Sequence, residues 1–337
     1  MIYRLIRNLL FLLDPEIAHA AILYPLDLLA SVLSREYRQA KVLQAPLQIM
    51  GLEFPNPVGL AAGFDKNADH LGAFSLLGFG FIEIGTVTPR AQEGNPKPRL
   101  FRLPKANALI NRMGFNNKGL DYLIERLQQC QYPGILGINI GKNRTTELTE
   151  ALNDYLLCFE AVYSYADYIT VNISSPNTPG LRNLHDAQAL NHLLLPLKEK
   201  QRCLADKTQR YVPIVLKISP DLKEEDLKRV AQQCLDLAID GVIATNTTLD
   251  KRAIANYPHG NEEGGLSGAP LFSCSTAVVS TLYSELGQKI PIIAVGGILS
   301  ADDALKKRQA GAALVQLYTG LIYQGPGLVA NIVKAWV

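Results

Sequence analysis

The chain of 337 residues lacks several features, and each absence removes a class of function. It has five cysteines (Cys130, Cys158, Cys203, Cys234 and Cys274), and no two form a C-x-x-C pair. Iron–sulfur clusters and structural zinc need closely spaced thiolates, so neither is indicated. An odd, dispersed set fits a reducing compartment, with most of the thiols buried as small apolar residues. Charged residues make up 19% of the chain, the net charge is +2, and no long Lys/Arg run occurs. Nucleic acid is therefore not an expected partner. The dinucleotide fingerprint G-x-G-x-x-G is absent. The amino-terminal apolar run, Leu9 to Leu13, falls far short of the roughly 20 residues of a membrane-spanning helix. Arg4 and Arg7 precede it and Ala18-His19-Ala20 has the form of a cleavage site. Asp14-Pro15-Glu16 nevertheless interrupts the apolar stretch too early for a secretory signal.

What is present is apolar. Hydrophobic residues make up 48% of the sequence, enough for one large core, and the length suits one large domain or a domain with an appendage. Asp14 as N-cap and Pro15 at the first helical position start a helix whose residues Ile17, Ala21, Tyr24, Leu28 and Val32 recur at helical spacing. Residues 1–35 thus read as two short apolar helices joined by a turn. They either pack on the main domain or form an apolar platform lying on a membrane surface.

From about residue 45 short β-rich apolar runs alternate with amphipathic helical stretches. The runs are Pro57–Gly63, Phe79–Thr86, Ile135–Gly141, Tyr168–Ile173, Pro213–Ile218, Gly241–Thr245, Pro291–Gly296 and Ala313–Tyr318. Helical stretches include Lys118–Gln129, Leu148–Tyr165, Glu224–Leu237 and Ala301–Ala310, the last opened by a capping box of Ser300 with Asp303. Strands too apolar to be half-exposed argue for a parallel sheet covered by helices, and eight of them close a (β/α)8 barrel, the TIM-barrel class. A doubly wound open sheet is the alternative, but the expected glycine fingerprint is missing. Leu47–Asn56 reads as a hairpin closing the barrel's base. The connection Pro89 to Asn116 is long, and long connections are often functional.

Each run ends in small or polar residues. The ends include Ala62-Gly63 with Lys66, Thr86, Asn139, Asn172, Lys217, Thr245-Asn246-Thr247, Gly296-Gly297 and Tyr318-Thr319-Gly320. A single Asn or Thr after a strand is ordinarily a turn residue. Eight polar ends in phase point at one spot at the carboxyl face of a barrel. The knot Asn172-Ile173-Ser174-Ser175-Pro176-Asn177-Thr178-Pro179-Gly180 can hydrogen-bond a polar planar substrate. It offers a serine with no neighbouring histidine or carboxylate to activate it. Backbone N–H groups after the seventh and eighth strands suit a phosphate. Lys66 and Lys217 end apolar strands, which is costly unless each meets an anion. Clustered carboxylates are absent, which disfavours a divalent metal and glycosidase chemistry. A phosphate-bearing cofactor with a delocalised anionic form fits this set, and a reduced flavin is one.

Several long motifs carry a resemblance. They are Leu60-Ala61-Ala62-Gly63-Phe64-Asp65-Lys66, Ile84-Gly85-Thr86-Val87-Thr88-Pro89, Asn107-Ala108-Leu109-Ile110-Asn111-Arg112-Met113-Gly114-Phe115-Asn116-Asn117, Asn172–Gly180, Ala244-Thr245-Asn246-Thr247-Thr248 and Gly264-Gly265-Leu266-Ser267-Gly268. In this order, over nearly the whole chain, they resemble the class 2 dihydroorotate dehydrogenases. The resemblance implies an FMN-containing barrel, residues 41–337, with a membrane-associating helical segment, residues 1–40. It implies oxidation of (S)-dihydroorotate to orotate in pyrimidine synthesis, with electrons passed to a membrane quinone. FMN contacts would come from Ala62, Gly63, Lys66, Thr86, Asn139, Asn172, Lys217, Thr245, Gly268, Gly297, Tyr318 and Thr319. Substrate contacts would come from Lys66, Asn111, Arg112, Met113, Gly114, Phe115, Asn172, Asn177, Asn246 and Thr247. Ser175 would be the base, served by a water route near Thr178. Class 1 relatives carry cysteine at that place. His19 and Arg102, with Tyr318, would sit near the inner end of an apolar quinone tunnel between the helices. The helices would then rest on the cytoplasmic face of the cell membrane as a peripheral attachment. A soluble flavin-dependent reductase on the same barrel, such as a dihydrouridine synthase, is a second reading. A non-enzymatic phosphate-binding barrel tethered to a membrane is a third.

Overall fold

The structure, a computed structural model, describes residues 2–33, 42–129, 132, 134–178 and 180–337. Cys130, Pro179 and the expected division near residue 40 lie outside the described residues.

The amino-terminal segment forms two helices, α1 (Ile2–Leu10) and α2 (Pro15–Val32). The Asp14 carboxylate accepts from the Glu16 and Ile17 N–H groups, satisfying donors that the first turn leaves free. The Tyr3 hydroxyl donates to the Ile322 carbonyl at 2.7 Å, and Arg7 donates to the Tyr323 carbonyl at 3.0 Å. On α2, Ala18, Leu23 and Ala30 are buried, the helix packing against the short α3 (Leu71–Ser75). The stripe singled out from spacing faces the other way: Ile17, Tyr24, Leu28 and Val32 are exposed, as are Leu5, Leu9 and Leu12. The pair is therefore apolar on both sides, one packed and one turned outward.

Strands β1 (Leu47–Ile49) and β2 (Leu52–Phe54) form the expected hairpin. Met50 and Gly51 both take positive φ, 54° and 75°, as a tight two-residue turn needs. Phe54 and the hairpin's apolar side chains close the barrel base. In chain order the other strands are β3 (Val58–Leu60), β4 (Phe81–Val87), β5 (Leu100–Leu103), β6 (Ala108–Asn111), β7 (Ile135–Ile140), β8 (Tyr168–Asn172), β9 (Ile214–Ile218), β10 (Gly241–Ala244), β11 (Gly265–Gly268), β12 (Ile292–Val295) and β13 (Leu314–Leu317). Eight close a parallel barrel in the order β3-β4-β7-β8-β9-β10-β12-β13, each falling on one of the eight apolar runs. Helices Gly119–Gln129, Ala151–Val162, Glu224–Asp236 and Ala301–Gln309 lie where expected. Ser300 caps the last by accepting from the Asp303 N–H, while the Asp303 carboxylate reaches back to the Leu299 N–H, one residue before the N-cap.

Strand periodicity of two sorts the side chains. Ile82, Ile84, Ile169 and Val171 point outward into the core under the helices. Phe81, Tyr168, Val215, Ile243, Ile293 and Leu314 fill the barrel's lower interior. Glycines on neighbouring strands make room there: a Cβ on Gly137 would lie 2.1 Å from the Tyr168 ring, and one on Gly59 2.3 Å from Phe81. Higher up, the inward positions turn polar.

The long connection after β4 is more ordered than a loop. Strands β5 and β6 pair with β11, which comes from the connection after β10, in an antiparallel sheet of order β11-β6-β5. It has its own small core of Phe101, Leu103, Ala108, Ile110, Ile254 and Leu266. Of the described cysteines only Cys158 and Cys234 are buried; Cys203 and Cys274 are exposed, so burial holds for half of that set.

Candidate active site

The carboxyl ends of the barrel strands and the β11-β6-β5 sheet enclose one cavity. Its walls include Ala62, Gly63, Lys66 and Thr86 from the first two strand ends, and Asn172, Ser175 and Asn177 after β8. Lys217, Thr245, Asn246 and Thr247 follow from β9 and β10, and Gly297, Tyr318 and Thr319 from β12 and β13. The cover sheet and the turn after it add Asn111, Met113, Gly114, Phe115 and Gly268.

Asn139 and Arg112, expected to touch flavin or substrate, do not line the cavity, while Arg102 and His19, expected beside the helices, lie there. Asn139 sits under the floor: its amide oxygen accepts from Thr86 Oγ1 at 2.6 Å and from Asn172 Nδ2 at 3.2 Å. Arg112 follows Asn111 and points to the opposite side of the strand, pairing with Glu262 at 2.8 Å over the Phe101 ring. Arg102 caps the end of α1, donating to the Leu10 carbonyl at 3.1 Å and to the Leu13 carbonyl, above the Phe11 ring.

The floor is a connected polar network. Asn139 Nδ2 donates to Glu83 Oε1 at 2.8 Å, and Gln316 Nε2 and the Tyr168 hydroxyl donate to Glu83 Oε2 at 2.8 and 3.1 Å. Lys217 Nζ lies 3.8 Å from Glu83 Oε1. Burial pulls the Lys217 ammonium below its usual range, and the Glu83 carboxylate opposes this. Glu83 and Gln316 were not among the residues expected. A carboxylate in the middle of an apolar strand, at an inward position, was the signal available for Glu83.

Above the floor, Asn172 Oδ1 accepts from Ser174 N–H and Oγ, and Asn246 Nδ2 donates to Ser174 Oγ at 3.0 Å. Arg182, also unforeseen, donates to the Ser174 and Thr247 carbonyls at 3.2 and 2.9 Å and pairs with Asp221 at 2.6 Å. It fixes the two turns that carry Ser175 and Asn246. Ser175 is buried, and its Oγ accepts from the Asn177 N–H at 3.3 Å. Asn177 Nδ2 in turn donates to the Asn111 carbonyl at 3.1 Å, tying the serine turn to the cover sheet.

Lys66 donates to the Gly63 carbonyl at 2.9 Å. Burial pulls it down to about 8, helped by Arg99 and opposed by Glu16 and Asp65, so it is mostly charged at neutral pH. Lys142 also ends a strand run, but it is held by the Asn143 and Thr146 carbonyls and stays off the cavity. Beyond Tyr318, the Phe64 ring lies 4.3 Å away centre to centre, and His19 on α2 lies 5.7 Å from Phe64. Burial first, then the charges of Lys66 and His70, bring the His19 imidazole down to about 4, so it is neutral at pH 7. Glu16 on α2 forms a two-pronged pair with Arg99, at 2.9 and 3.0 Å.

The residues fit a flavin by their unmet needs. Lys217 has the Glu83 carboxylate 3.8 Å away on the floor side, and among the described residues the buried oxygens Gln316 Oε1 and Thr247 Oγ1 have no partner. All three belong to residues lining the cavity. A planar ring system with carbonyl oxygens and ring N–H groups satisfies such a set.

A closed parallel barrel with this cavity at its carboxyl face defines a cofactor-using (β/α)8-barrel oxidoreductase. A family model described as Dihydroorotate dehydrogenase matches residues 44–336, and the chain belongs to that family, whose members work with a flavin. It is 56% identical over 336 residues to a dihydroorotate dehydrogenase (quinone) of Acinetobacter baumannii, covering 99% of each chain. To the enzyme of the same name from Marinobacter nauticus it is 54% identical, covering 99% of this chain and 98% of that one. The ligand-free crystal structure of DHODH from Eimeria tenella superposes with a TM-score of 0.87 at 38% identity, covering 96% of this chain and 94% of that one. The same protein in complex with ferulenol gives 0.84.

Proposed function

We propose that this chain oxidises (S)-dihydroorotate to orotate at an FMN held in the barrel mouth and delivers the electrons to a membrane quinone. The observation that carries the reading is the convergence on one cavity of Ser175, the amides of Asn111, Asn172, Asn177 and Asn246, and the buried Lys217. Amides both donate and accept, which matches the alternating C=O and N–H groups of the substrate ring. When bound, FMN supplies the acceptor for the hydride that leaves C6 of the substrate. Ser175 Oγ takes the C5 proton as its own hydroxyl proton passes to water by the route near Thr178, and its burial beside Asn177 holds that oxygen in one position. Lys66 and Lys217 hold positive charge toward an anionic ring, and the N–H groups around Gly268, Gly297 and Thr319 receive the phosphate.

Electrons leave toward α2, which β5 of the cover sheet also touches. The ring sequence Tyr318, Phe64 and His19 leads from the cavity toward α2. His19 and the neighbourhood of Arg102 are the quinone-side residues in this reading. The exposed apolar face of α1 and α2 supports peripheral attachment to the cytoplasmic face of the cell membrane, residues 1–40 being the attaching segment. Among the described residues no helix is long and apolar enough to cross a membrane. Arg112, paired with Glu262, serves to brace the cover sheet.

The test is optical. The purified protein is expected to be yellow, to bleach anaerobically on adding dihydroorotate without NADH, and to recover its colour with quinone. Colour that stays on dihydroorotate but bleaches with NADH would favour a soluble reductase instead.

A further inference from the structure

Outside the cavity walls one cation stands in an unusual place. Lys307, on the helix Ala301–Gln309, is fully buried. Its ammonium donates to Ser275 Oγ at 2.5 Å and to the Phe272 carbonyl at 3.3 Å, with the Phe272 ring 4.9 Å away. Among the described residues no carboxylate lies within ion-pair distance of it. Removing an ammonium from water without a counter-ion is costly, and two neutral acceptors and a ring face repay only part of that.

The partners of Lys307 form the back wall of the glycine loop after β12. Ser275 Oγ, which accepts from Lys307, has the Gly296 carbonyl at 3.0 Å and the Phe272 carbonyl at 3.1 Å as acceptors for its one proton. Gly297 lies flush on Phe272: a Cβ there would sit 2.5 Å from the Phe272 Cα. Gly296 and Gly297 take φ of 121° and 76°, and both line the cavity. One layer of protein thus separates a counter-ion-free ammonium from a loop whose front faces the cavity.

We propose that Lys307 is the buried counter-charge of the cofactor phosphate, acting from behind the Gly296–Gly297 loop through Ser275 and Phe272. The inference rests on the reading above that a phosphate docks on this loop. Burial pulls the Lys307 ammonium down to about 7, with Asp303 and Cys274 opposing. A dianion across the loop favours the charged form and so gains affinity from it. Lys307 is a positioning residue, since it touches neither cofactor nor substrate.

The experiment loads the full-length protein with FMN or with riboflavin, which lacks the phosphate, and follows flavin release on dilution by recovered fluorescence. Lys307→Met is expected to speed FMN release about tenfold or more, as loss of a nearby low-dielectric charge requires, and to leave riboflavin release unchanged. Lys307→Arg should restore slow FMN release. Acceleration of both flavins by one factor, or of neither, overturns the proposal and leaves Lys307 a packing residue. Equal release of FMN and riboflavin from the unaltered protein removes the phosphate site itself, and Lys307's role with it. If Lys307→Met does not accumulate, Ser275→Ala cuts the same link. It must accelerate FMN selectively, and an equal effect on both flavins counts against the proposal.

Discussion

Ser175 Oγ accepts one backbone hydrogen bond and has no imidazole or carboxylate as partner among the described residues. Its value as a base comes from position, so Ser175→Ala should leave flavin and orotate binding intact. Anaerobic flavin bleaching by dihydroorotate should slow by about 10²–10⁴, the usual worth of a positioned proton acceptor, measured by stopped flow. An unchanged bleaching rate would remove the serine from the chemistry. Lys217 acts by charge. Lys217→Met should lower the potential of the bound flavin by on the order of tens of millivolts, because a buried cation no longer favours the reduced anion. Potentiometric titration reads this directly. The lining residues on the barrel strands were legible because they terminate apolar runs, and those from the cover, such as Asn111 and Phe115, only through the family resemblance. Asn139 was read from a strand end and Arg112 from a motif, yet the first lies beneath the floor and the second turns to the outer side of the cover. Motif membership does not tell which way a side chain points. Glu83 and Arg182 went unread because each works through another residue, and Gln316 because it lies inside an apolar run and not at its end.

Among elements, α2 shows how a helix can be fastened while keeping an apolar face outward. Asp27 contacts His70 Nδ1 at 2.5 Å and also accepts from the Ala73 N–H at 2.8 Å, joining α2 to α3. Burial opposes a charge on His70, but the Asp27 hydrogen bond and the carboxylates of Asp65, Asp27 and Asp69 prevail and raise its pKa. A raised pKa means the folded state binds the proton more tightly. The stabilisation is therefore complete below about pH 6.5, the usual histidine value, and fades as pH rises through the raised one. NMR should find His70 titrating above about 6.5, and Asp27→Asn should bring that titration down. Deleting residues 1–33 should spare the dihydroorotate half-reaction, since the proposed flavin and substrate contacts all lie in the barrel and its cover. Oxidation by long-chain quinone and recovery in the membrane fraction should both collapse. Full quinone turnover by the truncated, flavin-loaded protein would make the helices packing elements only. The helix pair was legible from its cap and its spacing. The cover sheet was not, because four-residue strands paired across more than 150 positions leave little local pattern.

At the scale of the whole molecule, eight strands buried on both faces make a barrel easy to read, since each run is apolar at successive positions. Which connection folds over the mouth is decided by long-range pairing that no window of sequence contains. That pairing has a mechanical side. Arg99, which grips Glu16 of α2, stands immediately before β5, and the same hairpin carries Asn111 to the cavity wall. The outer helix and the substrate-side wall therefore share one lever. A small molecule wedged beneath α2 would shift that lever as well as obstruct its own site. It should show mixed rather than purely uncompetitive inhibition when dihydroorotate is varied. Glu16→Gln, which weakens the grip, should return the pattern toward the simple one.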